Sequence, residues 1–159
     1  MKNNKEKTNV MRLLDQKHIP YVGHYYYETD AISGTEVAAA LSQDQNQVFK
    51  TLVTLGASKN HYVFLVPVNK NLNLKKAAKS VGEKSIEMIK SKELLPLTGY
   101  IHGGCSPIGM KKQFKTVIDA SAKGFEAIFF SAGKIGYQVE VPLNKLSEIL
   151  KFELCDICE

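Results

Sequence analysis

The chain has 159 residues, 44% of them hydrophobic, and carries 21 lysines and arginines against 16 acids, for a net charge of +5 and a pI near 9.0. That size and composition predict one globular domain and exclude a disordered chain, while no apolar run is long enough to span a bilayer. The polar start Met1–Lys7 does not read as a secretory signal; a flexible tail over 1–8 before a domain over 9–159, and a cytoplasmic location, are the expectation.

A helix is predicted around Thr8 to Lys17, with Val10, Leu13 and Leu14 on one stripe, broken by His18-Ile19-Pro20. Tyr21 to Tyr27 then read as a strand rich in tyrosine. Ser33-Gly34-Thr35-Glu36 matches a capping box and opens a helix through Leu41. Two apolar runs, Val48 to Leu55 and His61 to Val68, flank the loop Gly56–Asn60 and predict a hairpin. Asn73 caps a helix from Leu74 to Val81 that Gly82 stops. A shorter helix is expected from Ile86 to Leu95, ended by Pro96. After the glycine-rich stretch 99–109 come three strands, Thr116–Asp119, Ala127–Phe130 and Tyr137–Val141, and a closing helix from Leu143 to Leu150. Strands outnumber helices and do not alternate with them, which argues for a mixed α/β sheet or barrel with flanking helices in a single domain, not a doubly wound fold.

The basic balance favours a polyanionic partner, because lysines cluster at 70–79, 84–92 and 111–115. A merely solvated surface uses the same residues. Three cysteines imply no disulfide framework. Cys155-Asp156-Ile157-Cys158 is a lone CxxC with no second pair, and His18, His24, His61 and His102 are scattered, so neither a metal nor any other cofactor is expected.

The most telling residue is Lys50, inside the apolar run Val48-Phe49-Lys50-Thr51-Leu52. Alternation puts it on the face of Val48 and Leu52. An ammonium group there needs an anion or a wet pocket, since a buried, isolated charge is costly. It reads as a ligand for a phosphate, a carboxylate or a developing oxyanion. The alternative is an edge-strand lysine that snorkels into solvent. Gly103-Gly104-Cys105-Ser106-Pro107 can turn several backbone N–H groups toward a ligand. Ser131-Ala132-Gly133-Lys134-Ile135-Gly136 has the same character and is not a P-loop, although each stretch alone also reads as an ordinary turn. Cys105 and His102 are three residues apart, but no local acid completes a nucleophilic triad.

In order and spacing these pieces resemble the YbaK family, free-standing relatives of the editing domain inserted in bacterial prolyl-tRNA synthetases. The resemblance spans roughly Val10 to Asp156. It rests on His24 and Tyr26, Val48-Phe49-Lys50-Thr51-Leu52, Leu72–Lys79, Glu87-Met88, Thr98-Gly99-Tyr100, Gly103-Gly104, Ser106–Gly109, Lys111-Lys112, Val117–Asp119 and Ser131–Lys134. It implies a deacylase that removes cysteine mischarged onto proline tRNA, with Lys50 essential and Gly103 and Gly104 cradling the aminoacyl end. Tyr26, Thr51, Ser106, Pro107, Ser131, Gly133 and Lys134 match other substrate-contacting positions. The family is thought to let the cysteinyl thiol attack its own ester and leave as a thiolactone. The implied partners are the acceptor end of an aminoacyl-tRNA and a prolyl-tRNA synthetase, with no membrane; monomer or homodimer stays open. Two departures stand out. Cys105 replaces a usual aliphatic residue. Ala132 and Ile135 replace a glycine and an arginine often found there, which bears on substrate preference. Editing of alanyl or seryl esters, or binding without turnover, are the competing readings.

Overall fold

Local capping signals decide where the helices start. The computed structural model describes residues 6–159. Of the expected tail over 1–8, residues 1–5 lie outside the described residues; Thr8 caps α1 (Asn9–Gln16) by accepting from the Met11 N–H. Ser33 and Glu36 form the capping box of α2 (Gly34–Ala40). Asn73 caps α3 (Leu74–Val81), and Gly82, at φ +73°, ends it.

The strands form two open sheets, not a closed barrel. In chain order they are β1 (Val22–Tyr25), β2 (Phe49–Gly56), β3 (His61–Pro67), β4 (Ile86–Met88), β5 (Lys115–Asp119), β6 (Ala127–Lys134), β7 (Tyr137–Pro142) and β8 (Phe152–Cys155). The smaller sheet has the order β1-β7-β6 and is antiparallel throughout; the larger has the order β4-β2-β3-β5-β8. Antiparallel pairing joins β4 to β2 and β2 to β3, while β3–β5 and β5–β8 are parallel. Because β3 is central, both its faces are buried, which explains its unbroken apolar run. Val63 and Leu65 face a core between the sheets, shared with Val10 and Leu14 of α1. Phe64 and Val66 face a second core under α3, shared with Ala77, Ala78 and Ile157.

Three expectations need correction. Ile86–Met88 is a strand, because the free edge of β2 recruits it, with Ile86 opposite Gly56 and Met88 opposite Thr54. The helix then starts at Ser91 and runs to Thr98 (α4), with Pro96 inside it; Gly99 at φ +87° ends it, its N–H reaching Leu95 O. The last helix covers only Leu143–Leu146 (α5), although turns continue to Leu150. β8 was not anticipated: it is four residues long and alternates apolar with polar or half-buried positions, too weak a pattern to stand out.

The C-terminal strand is held by Asp119. Its carboxylate, 4% exposed with its residue, accepts from the N–H groups of Ser121 (3.2 Å) and Ile157 (3.1 Å). Burial works to raise its pKa, but the hydrogen bonds from Ser121, Ile157 and Cys158 outweigh burial and hold it below the usual carboxylate value. Asp119→Ala leaves those donors buried without an acceptor; we expect a loss of about 3 kcal/mol, read as a lower urea midpoint with an unchanged slope.

Candidate active site

The two sheets meet along one seam, and the seam makes the cavity. Val48, just before β2, bridges to Phe129 of β6, and the Phe129 N–H donates to Gln47 O at 3.1 Å. The cavity at this seam measures about 560 Å³. Its lining includes apolar Phe49, Val53, Leu94 and Phe130 and polar Lys50, Thr51, Ser131 and Gln138.

Lys50 stands opposite Val66 of β3, so alternation puts it on the face of the second core with Leu52. It is half-buried, and burial pushes its pKa below the usual lysine value, against a small opposing effect of Cys158. No carboxylate pairs with it among the described residues, and none lines the cavity. Neighbouring Thr51 points to the other face, where its buried Oγ1 has no hydrogen-bond partner. A cation without a counter-ion and an orphaned hydroxyl therefore stand side by side on β2, on opposite faces of the strand.

The first glycine loop also lines the cavity. Gly103 lies in the left-handed region at φ +90° and lines the cavity. Its N–H has no acceptor among the described residues, whereas the Gly104 N–H donates to Ile101 O at 3.0 Å. Gly104 has a packing role: a Cβ there would sit 3.1 Å from the Ile135 backbone nitrogen. The second glycine segment is thus the floor on which the first rests. Ser106 and Pro107 are buried behind the loop, with the Ser106 Oγ accepting from the Ile108 N–H at 3.3 Å, and they do not reach the cavity.

β6 continues to Lys134, with an irregularity between Ser131 and Lys134. Ser131 lines the cavity and accepts from the Gly133 N–H at 3.0 Å. Gly133 and Lys134 open instead onto a second cleft beside the start of α1; Lys134 there pairs with Glu6 and lies 5.3 Å from the centre of the Tyr137 ring. Tyr26 also lines the cavity, at 5% exposure, its backbone N–H donating to Gly136 O at 2.9 Å. Of the residues expected from sequence, the cavity gathers Lys50, Thr51, Gly103, Tyr26 and Ser131; Gly104, Ser106 and Pro107 support its wall, and Gly133 and Lys134 lie outside it.

Cys105 also lines this cavity, and burial pushes its thiol up to about 12, against a hydrogen bond with Thr98. A thiol so held is not a nucleophile near neutrality. Among the described residues no group of His, Cys, Asp and Glu could hold a metal, and no helix is long and apolar enough to cross a membrane.

A model of the aminoacyl-tRNA editing domain matches residues 29–149, about three quarters of the chain. The chain belongs to this family. The "Putative Cys-tRNA(Pro)/Cys-tRNA(Cys) deacylase EbsC" of Enterococcus faecalis is 41% identical over 98% of this chain and 96% of its own. A proline–tRNA ligase of Shouchella clausii is 29% identical over 64% of this chain but only 18% of the ligase, so the likeness is to one part of it. Among solved structures, a "putative trans-editing enzyme for prolyl tRNA synthetase" superposes with a TM-score of 0.80 at 23% identity over 94% of both chains. A hypothetical protein reaches 0.86 at 21% identity over 97% of this chain and all of its own. These structures establish the editing-domain fold.

Sequence reasoning did not select several residues at the cavity. Ser33 to Thr35 come from the start of α2, and Met88 to Ser91 run from the end of β4 through the turn to the first residue of α4. The turn was hidden by the mistaken helix at 86–95. Gln138 was read only as a strand residue, yet it is 2% exposed and its amide is paired reciprocally with Gln43 at 2.8 and 3.0 Å.

Two outcomes follow from this packing. Gly104→Ala must push the two glycine segments apart, because the atoms it meets are backbone; lower thermal stability and an altered Gly103 amide signal in NMR are expected. The folded state also holds the Cys105 proton more tightly than an unfolded chain, whose thiol ionises near pH ~8.5. That contribution is complete below ~8.5 and is lost as the pH climbs toward about 12. Cys105→Ala should therefore flatten part of the alkaline fall in stability, leaving the part due to Cys158, whose thiol is likewise raised to about 12.

Proposed function

We propose that this member of the editing family is a trans-acting deacylase that releases cysteine from Cys-tRNA(Pro), with Cys-tRNA(Cys) as a second substrate. The observation that carries the reading is Lys50, a half-buried cation with no carboxylate partner among the described residues, on the wall of a cavity lined by no carboxylate. Such a site lowers the energy of negative charge brought in or developed by a substrate. The name of the Enterococcus relative, 41% identical over nearly the full length, supports the choice of ester.

The cavity offers no residue fit to attack an ester, since its cysteine is held protonated and no acid orients a serine–histidine pair. The substrate supplies the nucleophile. Its thiol sulfur attacks its own carbonyl carbon, the S–C bond forms, and the C–O bond to the terminal ribose breaks. A four-membered thiolactone and tRNA with a free hydroxyl result; the thiol proton ends on the ribose oxygen. The protein's share is orientation and charge stabilisation. Lys50 faces the developing oxyanion or the adjacent phosphate. The free N–H of Gly103 serves the carbonyl oxygen, and Ser131 fixes the aminoacyl group. Tyr26 and Phe130 exclude water. Exposed Lys90 and Lys92, at the start of α4, and Lys111, at its end, offer sequence-independent phosphate contacts. A prolyl-tRNA synthetase is the proposed source of the mischarged tRNA.

Purified Cys-tRNA(Pro) and Ala-tRNA(Pro) should separate the candidate activities. We expect rapid loss of the cysteinyl ester alone. Lys50→Ala should slow it by at least about 100-fold while the circular dichroism and melting profile stay native. Loss of the alanyl ester would mean a water nucleophile. Tight tRNA binding without turnover would mean a binding module.

A further inference from the structure

The proposed reaction moves a proton from the substrate thiol to the ribose oxygen, so some group must carry it. The residues that line the cavity limit the choice. No Asp or Glu is among them. From β2 comes Lys50, a cation at neutral pH; from the β4–α4 turn comes Lys90; Tyr26, before α2, and Tyr137, on β7, are phenols. Burial drives the Tyr26 hydroxyl above its ordinary value, and the Cys105 thiol is up at about 12, so neither accepts a proton near neutrality. Thr51, Ser131 and Gln138 do not titrate in that range. The other nitrogen base among the described lining residues is the imidazole of His102, which has a ring nitrogen that can accept a proton.

His102 directly precedes Gly103, the glycine whose free amide is assigned to the ester carbonyl. It is exposed and has no hydrogen-bond or ion-pair partner among the described residues, so nothing fixes its ring away from a ligand. A base at the mouth and an apolar floor suit a reaction whose leaving group is the tRNA itself, which must lie at the mouth.

We propose that His102 is the proton carrier of the deacylation. A ring nitrogen takes the thiol proton as sulfur closes on the carbonyl carbon, and the imidazolium returns it to the ribose oxygen as the C–O bond breaks. The inference rests on the thiol-assisted reading above.

The size of the effect is bounded by chemistry. A cysteinyl thiol with a pKa near 8.5 is about 3% ionised at pH 7, so an acceptor gains at most roughly 30-fold at the attack step. The gain must vanish once the pH ionises the thiol unaided. The experiment is single-turnover deacylation of Cys-tRNA(Pro) by wild type, His102→Gln and His102→Ala from about pH 6 to 9, with spontaneous hydrolysis subtracted. Both variants should be about tenfold or more slower at pH 7, should converge on the wild type near pH 9, and should bind tRNA as tightly as wild type. Added imidazole should restore His102→Ala and leave His102→Gln unchanged. Wild-type rates at pH 7 in both variants, or a deficit that persists unchanged to pH 9, would overturn the inference while leaving the editing reading intact. A wild type inactive on the cysteinyl ester at every pH would instead overturn the editing reading, and the proton carrier with it.

Discussion

The site depends on one energetic debt: Lys50 keeps its charge half-buried without a partner. Desolvation of an ammonium group is unfavourable, and a folded protein normally answers it with a carboxylate or with solvent. Here the wall around it withholds the carboxylate. The debt is carried by two well-packed cores, one on each face of the strand pair β2–β3. Strand β3 is buried on both faces and fixes the register that sets Lys50 against Val66. Stability accumulated there lets the wall keep an uncompensated cation and an unpaired Thr51 hydroxyl.

The same economy explains the glycines. Two segments distant in sequence are brought close together, so that a Cβ at Gly104 would fall 3.1 Å from the Ile135 nitrogen and one at Gly103 would meet the Ile135 side chain. A side chain at Gly104 would open that contact. Gly103 lines the cavity in a left-handed backbone conformation, and its amide has no acceptor among the described residues. The pair therefore divides the labour: one glycine packs and the other keeps an unpaired amide. The second segment supports the site through backbone more than through its lysine, because Lys134 is engaged at another cleft.

Much of this was legible where a signal is local. Ser33, Asn73 and Gly82 are capping residues whose chemistry acts within one turn, and the helices they bound were read where they stand. The apolar runs of β2 and β3 announced a hairpin for the same reason. Errors fell where tertiary pairing overrides sequence. Ile86–Met88 is recruited by an edge, and β8 is defined by Asp119 and β5 rather than by its own pattern. The lysine in an apolar strand drew attention to the site, but spacing could not reveal that Gly104 packs instead of presenting its amide, or that Ser33–Thr35 and Gln138 share the cavity. Those facts belong to the seam between two sheets, which no single segment encodes.

A seam of this kind also constrains how selectivity can arise. A cavity of about 560 Å³ with an apolar floor cannot reject a smaller side chain by size, since one methylene is worth only about 1–3 kcal/mol. Alanyl and seryl esters fit wherever a cysteinyl ester fits. On the proposed reading the discrimination lies in the reaction rather than in binding. Only a substrate that brings a thiol to the carbonyl has a nucleophile in a pocket that supplies none. The missing catalytic triad is then part of the specificity. A protein nucleophile would make the site a general esterase and strip correctly charged tRNA. An uncompensated lysine and a free amide act as the substrate makes its own attack, so they accelerate the one ester that can begin the reaction.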